Sequence, residues 1–209
     1  MSERSSGPGT RELQRIQTRR RIVEAAVELH STVGPSRTSL SAVARQAGVS
    51  RPTLYAYFPD ERSLFAACSG HALAVDPPPD LQGWADLVDP LQRLHRLLSE
   101  MYAYYRRNAG RIGNIERDAA FMKMPDGGGR TIQSERRLVA ESLSSGLPAL
   151  GEAKRLTEAA VRHALEFSTW RTLTQPLGLS DAEAVDLMIG LVEHAGQPRR
   201  RRASRGLDG

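Results

Sequence analysis

Between positions 50 and 58 the chain reads Ser-Arg-Pro-Thr-Leu-Tyr-Ala-Tyr-Phe, which crowds a guanidinium, four hydroxyls and three aromatic rings into nine residues. These are groups that read nucleic acid. Arg51 has a planar fork able to grip guanine O6 and N7, and Pro52, Ala56 and the ring of Tyr55 offer apolar surface to thymine methyls. The hydroxyls of Ser39, Ser50, Thr53 and Tyr57 suit phosphate oxygens, and Arg62 can add a charge-assisted contact. They act together only if one helix presents them. Ser50 is an N-cap residue, Pro52 lies in the first turn where its missing N–H costs nothing, and Leu54 and Phe58, four apart, turn inward. Tyr55 and Ala56 then turn outward, with Arg51 free at the helix start.

The element before it fits the same purpose. From Ser39 to Gly48 the residues Leu40, Val43, Ala44 and Ala47 make the inward face of a second helix, and Gly48 stands where a left-handed backbone is needed. Two short helices around a glycine turn form a helix-turn-helix, whose second helix fits the major groove. Ile22, Ala26, Leu29 and Val33 make one stripe of a first helix ending at Gly34-Pro35, and a fourth helix runs from Asp60 to about Val75. No strand-like alternation persists anywhere, so the fold class is all-α.

Length and charge narrow the function classes. A chain of 209 residues holds one ordinary domain or two small ones. Residues 1–75 carry ten Arg against six acids, net +4; residues 76–195 are net −3; residues 196–209 carry five Arg against one Asp, net +4. An anionic partner is therefore met at the ends rather than the middle. No apolar stretch approaches the ~20 residues that span a bilayer, and "MSERSSGPGTRELQRIQTRRR" lacks a signal-peptide core, so the expected location is the cytoplasm. Cys68 stands alone, which excludes an internal disulfide and a cysteine-based zinc site. No metal or other cofactor is expected. Gly127-Gly128-Gly129-Arg130 follows no strand and precedes no Lys-Ser/Thr, so it reads as a mobile loop rather than a phosphate cradle. No Gly-x-Ser-x-Gly or His-Glu-x-x-His motif occurs, and a catalytic site has no support.

The proline run Asp76-Pro77-Pro78-Pro79-Asp80 marks a module boundary. Beyond it, Asp89 caps a helix with Pro90 at its first position and Leu91, Leu94, Leu98, Met101, Tyr102 and Tyr105 on its apolar face. A shorter segment follows around Ile112–Met122. A helix with Leu138, Val139, Ser142, Leu143 and Leu147 comes next, then one over residues 152–174. Ser180 and Glu183 form a capping box opening the last helix, apolar over more than one face, so that one side is free for a second subunit. Trp84, Met101, Tyr102, Tyr105, Ile115, Phe121, Met122, Phe167 and Trp170 are either the lining of a pocket for an apolar or aromatic ligand or ordinary core. His95 and His163 stand between ligand contact and structural use.

Residues 22–65, with "RIVEAAVELHSTVGPSRTSLSAVARQAGVS" and "TLYAYF", resemble the DNA-binding domain of TetR-family transcriptional regulators. Glu61 departs from that pattern, where a Lys touching phosphate is common; Arg62 can compensate. Residues 76–195 are similar to the family only in layout. By their charge, residues 1–21 read as a flexible basic arm and residues 196–209 as a basic disordered tail; the resemblance implies a helix-turn-helix domain over 22–75 and a ligand-binding and dimerisation domain over 76–195. It also implies a homodimer held by the last two helices, with Leu156, Ala160, Ala164, Leu187, Met188 and Leu191 at the interface, bound to a palindromic operator in double-stranded DNA. Repression relieved by a small molecule is the implied mode. The alternatives are a regulator of the same fold that activates, or senses a protein or nothing, and an enzyme or carrier built on the C-terminal helices.

Overall fold

The computed structural model describes residues 9–80, 87–119, 128–147 and 151–197, with the backbone alone for 128–136. Trp84, Phe121 and Met122, and most of the C-terminal tail, lie outside the described residues. Among those described there are nine α-helices and no strand: α1 Thr10–Thr32, α2 Leu40–Gln46, α3 Arg51–Tyr57, α4 Glu61–Val75, α5 Pro90–Asp118, α6 Gly128–Ser145, α7 Glu152–Ala164, α8 Phe167–Thr174 and α9 Asp181–Gly196. A single 3-10 turn, Pro35–Arg37, follows α1. No helix among the described residues is long and apolar enough to cross a membrane. The chain divides into two compact units, Met1–Pro78 with Asn108–Gly127, and Pro79–Arg107 with Gly128–Gly209. The division falls inside the proline run, yet it assigns the last turns of α5 to the first unit.

In the first unit, Ile22, Ala25 and Ala26 of α1 pack with Val43 and Ala44 of α2, Leu54 within α3 and Phe58 just after it, and Leu64 and Cys68 of α4. Local chemistry sets the helix ends. The Oγ atoms of Ser39 and Ser50 and the carboxylate of Asp60 each accept from an amide three residues on, capping α2, α3 and α4. One expectation is corrected here. The basic stretch 10–21 is not a flexible arm but the first half of α1, which begins at Thr10 rather than near Ile22. It has no Gly or Pro to interrupt it, and Glu12–Arg15 and Arg20–Glu24 pair along it at helical spacing.

The last turns of α5 fasten onto the end of α1 within this unit. Asn114 Nδ2 donates to the carbonyls of His30 and Ser31, and Arg117 Nη2 donates to that of Val33, so three carbonyls at the α1 C-terminus find side-chain donors. Asp118, buried, accepts from the Ser36 amide and from Arg117 Nε. Arg117 beside it, with the Ser36 bonds, holds its carboxyl well below the usual carboxylate range against the opposing effect of burial. α5 therefore does not pause before Ile112. Gly110 sits mid-helix because a Cβ there would lie 2.9 Å from the Ser31 carbonyl oxygen, so this glycine permits close approach rather than a break.

In the second unit, Asp89 caps α5 as expected, and Leu94, Leu97, Leu98, Met101, Tyr102 and Tyr105 are buried. α6 opens at Gly128, within the glycines read as a loop. Its buried positions include Ala140 and Ser144, four apart, while Leu138 is exposed. The segment 152–174 is two helices, not one. At the break, the carbonyls of His163, Ala164 and Leu165 accept from Thr169 Oγ1, Tyr102 Oη and Tyr105 Oη respectively. The His163 carbonyl also accepts from the Glu166 amide, but at Ala164 and Leu165 the tyrosine hydroxyls stand in for the amides a continuous helix would have supplied, so the interruption leaves no buried carbonyl unpaired there.

Candidate nucleic-acid interface

The turn between α2 and α3 is built by backbone bonds. Gly48 has φ +65°, its amide donates to Arg45 and that of Val49 to Ala44. These are the two bonds of a Schellman closure, which needs a left-handed residue at this position. α3 leaves the turn with Ser50 as cap and Pro52 in its first turn. Leu54 and Phe58 are fully inward; Arg51, Pro52, Tyr55 and Ala56 are exposed together, Tyr55 at 41%. Among the described residues no carboxylate pairs with Arg51, and its guanidinium is free to meet an acceptor. The four expected base-reading residues therefore share one solvent-facing surface.

The expected phosphate contacts are less uniform. Ser50 Oγ and Thr53 Oγ1 lie 2.8 Å apart, so one hydroxyl hydrogen of the pair is used between them and one remains to donate. Ser39 Oγ accepts from Ala42 N–H and keeps its own hydrogen. Tyr57 is half-buried against the core. At the start of α4 the Asp60 carboxylate already occupies the amide of Ser63, and that bond holds its carboxyl below the ordinary value, with Arg62 contributing. Asp60 and Glu61 put two carboxylates there against one Arg, an unfavourable place for phosphate. Arg19 is a residue the sequence did not single out: its guanidinium lies 5.2 Å from the centre of the Phe58 ring, beside the end of α3. The signal was present, since Arg19 stands three residues before Ile22 on the same helix face.

Of the expected pocket residues, Tyr102, Tyr105, Phe167 and Trp170 form one aromatic cluster in the second unit, and Met101 of α5 is buried there too. Tyr105 meets Phe167 edge-on at 5.3 Å and Trp170 at 5.9 Å. Trp170 Nε1 donates to Asp181, which also takes a bidentate pair from Arg106 at 2.6 and 2.7 Å. Burial raises the Asp181 carboxyl, and these partners outweigh it, leaving the group lowered. Burial pushes the Tyr102 hydroxyl strongly upward, helped by Tyr105 and Asp181. Ile115 is half-buried and belongs to the first unit. His163 lies by Thr169, and His95, exposed, lies 3.6 Å from Asp186. Of the expected interface residues, Leu187 and Leu191 are exposed on α9 and Leu156 is half-buried. Ala160, Ala164 and Met188 are buried within the chain, because the apolar faces of α7 and α9 pack on each other. Among the described residues no cluster of His, Cys, Asp and Glu could hold a metal ion.

A capped helix with an exposed Arg-Pro-Tyr-Ala face, set by a glycine turn on a three-helix core, defines a helix-turn-helix protein of all-α fold. Residues 22–68 match the family described as bacterial regulatory proteins, tetR family. The chain is similar to an uncharacterized HTH-type transcriptional regulator of Mycobacterium bovis, 44% identical over 62 residues, 29% of this chain and 33% of that protein. It is also similar to the HTH-type transcriptional regulator SrpR of Pseudomonas putida, 33% identical over 94 residues, 42% of this chain and 44% of that protein. The matches thus span a third to under half of these relatives. Beyond the matched segment the fold itself carries the likeness. A TetR-like regulator from Rhodococcus sp. RHA1 superposes with TM-score 0.60 at 23% identity, over 86% of this chain and 97% of that one. A TetR regulator from Haloarcula marismortui does so with TM-score 0.58 at 18% identity, over 87% and 97%. Residues 22–68 thus carry the helix-turn-helix domain of the tetR family, the chain shares the fold of these TetR-like proteins, and the curated relatives it matches are transcriptional regulators.

Proposed function

We propose that the protein binds a palindromic operator as a homodimer and represses transcription until a small apolar or aromatic ligand releases it. The observation that carries the DNA half is the common exposure of Arg51, Pro52, Tyr55 and Ala56 on α3, with Leu54 and Phe58 anchoring that helix from behind. Two copies would enter successive major grooves about 34 Å apart. Leu187 and Leu191, apolar and exposed on α9, support pairing through that helix. A ligand bound among the aromatic side chains of the second unit would favour a spacing that no longer fits the DNA.

The test is fluorescence anisotropy with a selected palindrome and a scrambled duplex. Native protein is expected to prefer the palindrome. Arg51→Ala/Tyr55→Ala is expected to retain weak, strongly salt-dependent binding without that preference, having lost roughly 1–3 kcal/mol per good base contact. Equal binding of both proteins to both duplexes would sink the reading. A second reading, a regulator of the same fold that senses no ligand in this cluster, is favoured by one observation: Tyr102 and Tyr105 spend their hydroxyls on backbone carbonyls.

A further inference from the structure

The face of α1 that seats the helix-turn-helix does not end where the core ends. Ile22 and Ala26 carry it inside the domain, and stepping back toward the N-terminus by helical spacing leads to Arg19, Arg15 and Arg11. All three are exposed. Arg19 is tied to the end of the recognition helix through the Phe58 ring, and Arg15 and Arg11 lie about 6 and 12 Å further along the α1 axis at 1.5 Å per residue. Like charges four residues apart disfavour a helix by about 0.2–0.5 kcal/mol per pair, and this stripe has two such pairs in succession. Against them stands one exposed partner, Glu12, 3.4 Å from Arg15, an ion pair of the weak surface kind. A solvated face would intersperse acids. Here the opposite side of the same turns carries Leu13 and Gln17, both uncharged.

We propose that Arg11, Arg15 and Arg19 form a second DNA-contact site, a stripe that binds backbone phosphates beside the groove entered by α3. The inference rests on the DNA-binding reading above. Its chemistry is that of sequence-independent positioning: guanidinium groups in a row along a rigid helix, facing the same side as the reading head, neutralise phosphates and release counterions. It also accounts for a helix in place of an arm, since a rigid rod holds the cations in a fixed register with the reading head.

The experiment measures the salt dependence of operator binding by the full chain between 50 and 200 mM. Each phosphate contact contributes a slope of about 0.9 in log affinity against log salt, so Arg11→Gln/Arg15→Gln, which removes two contacts from each protomer of the dimer, should flatten the slope by about 3.6. Across that fourfold range native protein should lose about 150-fold more affinity than the variant. Preference for the palindrome over the scrambled duplex should persist. Arg11→Lys/Arg15→Lys should keep the native slope. A further variant, Arg11→Gln/Arg15→Gln with Leu13→Arg/Gln17→Arg, restores net charge on the opposite face; it should behave like the Gln variant. An unchanged slope in the Gln variant, or its recovery when the charge is moved across the helix, overturns the stripe while leaving the recognition helix intact. Loss of palindrome preference by native protein would instead overturn the underlying reading.

Discussion

Replacing Tyr105 by Phe removes one oxygen atom and keeps the ring. That oxygen donates to the Leu165 carbonyl at 2.6 Å, and the Tyr102 hydroxyl donates to the Ala164 carbonyl at 2.9 Å, all four residues being buried. Neither carbonyl receives a backbone amide among the described residues, because α7 has ended and α8 begins only at Phe167. A buried acceptor left without a donor costs about 1–3 kcal/mol. For a chain of this size each kcal/mol lowers Tm by about 2–4 °C, so each Phe variant should melt about 2–12 °C below the native protein. The two bonds are adjacent, and the double variant need not lose the sum. Urea and thermal unfolding followed by circular dichroism measure this, with Tyr55→Phe, exposed on α3, as the control that should not move. Phe variants within about 0.5 kcal/mol of native, the ordinary range of a neutral surface change, would refute the claim that these hydroxyls terminate α7. They would then be available to a ligand, and the pocket reading would gain what the core reading lost.

Three further outcomes follow from the same packing. Gly34 has φ +99°, and a Cβ there would overlap the Arg117 guanidinium and the Asp118 carboxylate; Gly34→Ala should destabilise by more than the 1–3 kcal/mol of backbone strain alone, read as a drop in urea midpoint. His30 is buried 3.2 Å from Cys68 Sγ with the Phe65 ring and the charge of Asp118 nearby. Burial lowers its pKa despite Asp118, and burial likewise raises the Cys68 thiol to about 11, so the pair is neutral near pH 7. A base with a lowered folded pKa stabilises the fold fully above its unfolded value of about 6.5, and that stability is lost as pH falls below it. Urea midpoints between pH 7.5 and 5.5 should decline for native protein and less for His30→Gln; parallel profiles would contradict this. Leu187→Glu/Leu191→Glu should shift sedimentation from dimer to monomer and lower a Tm that no longer rises with protein concentration; a dimer that persists would contradict an interface on α9.

What the sequence determined by itself is the helix-turn-helix and its caps. Ser39, Ser50 and Asp60 each bond an amide three residues away, and Ser180 with Glu183 closes a capping box over the same span. Gly48 closes its turn on Arg45. These interactions are local, so residue type and spacing suffice to find them, and the alternation of inward Leu54 and Phe58 with outward Arg51, Tyr55 and Ala56 follows from helical geometry. Tertiary structure alone decided the rest. The polar half of α1 has no apolar period to announce it; α5 runs on through Gly110 because Ser31 of α1 lies against it; and a helix expected over 152–174 is cut where tyrosines sixty residues earlier capture its carbonyls. Ala160, Ala164 and Met188 point into the chain rather than out because α7 packs on α9. The polar half of α1 is held by local pairs, but for α5, α7 and α9 a group distant in sequence decides the outcome, and a pattern read along the chain carries no information about which distant group arrives.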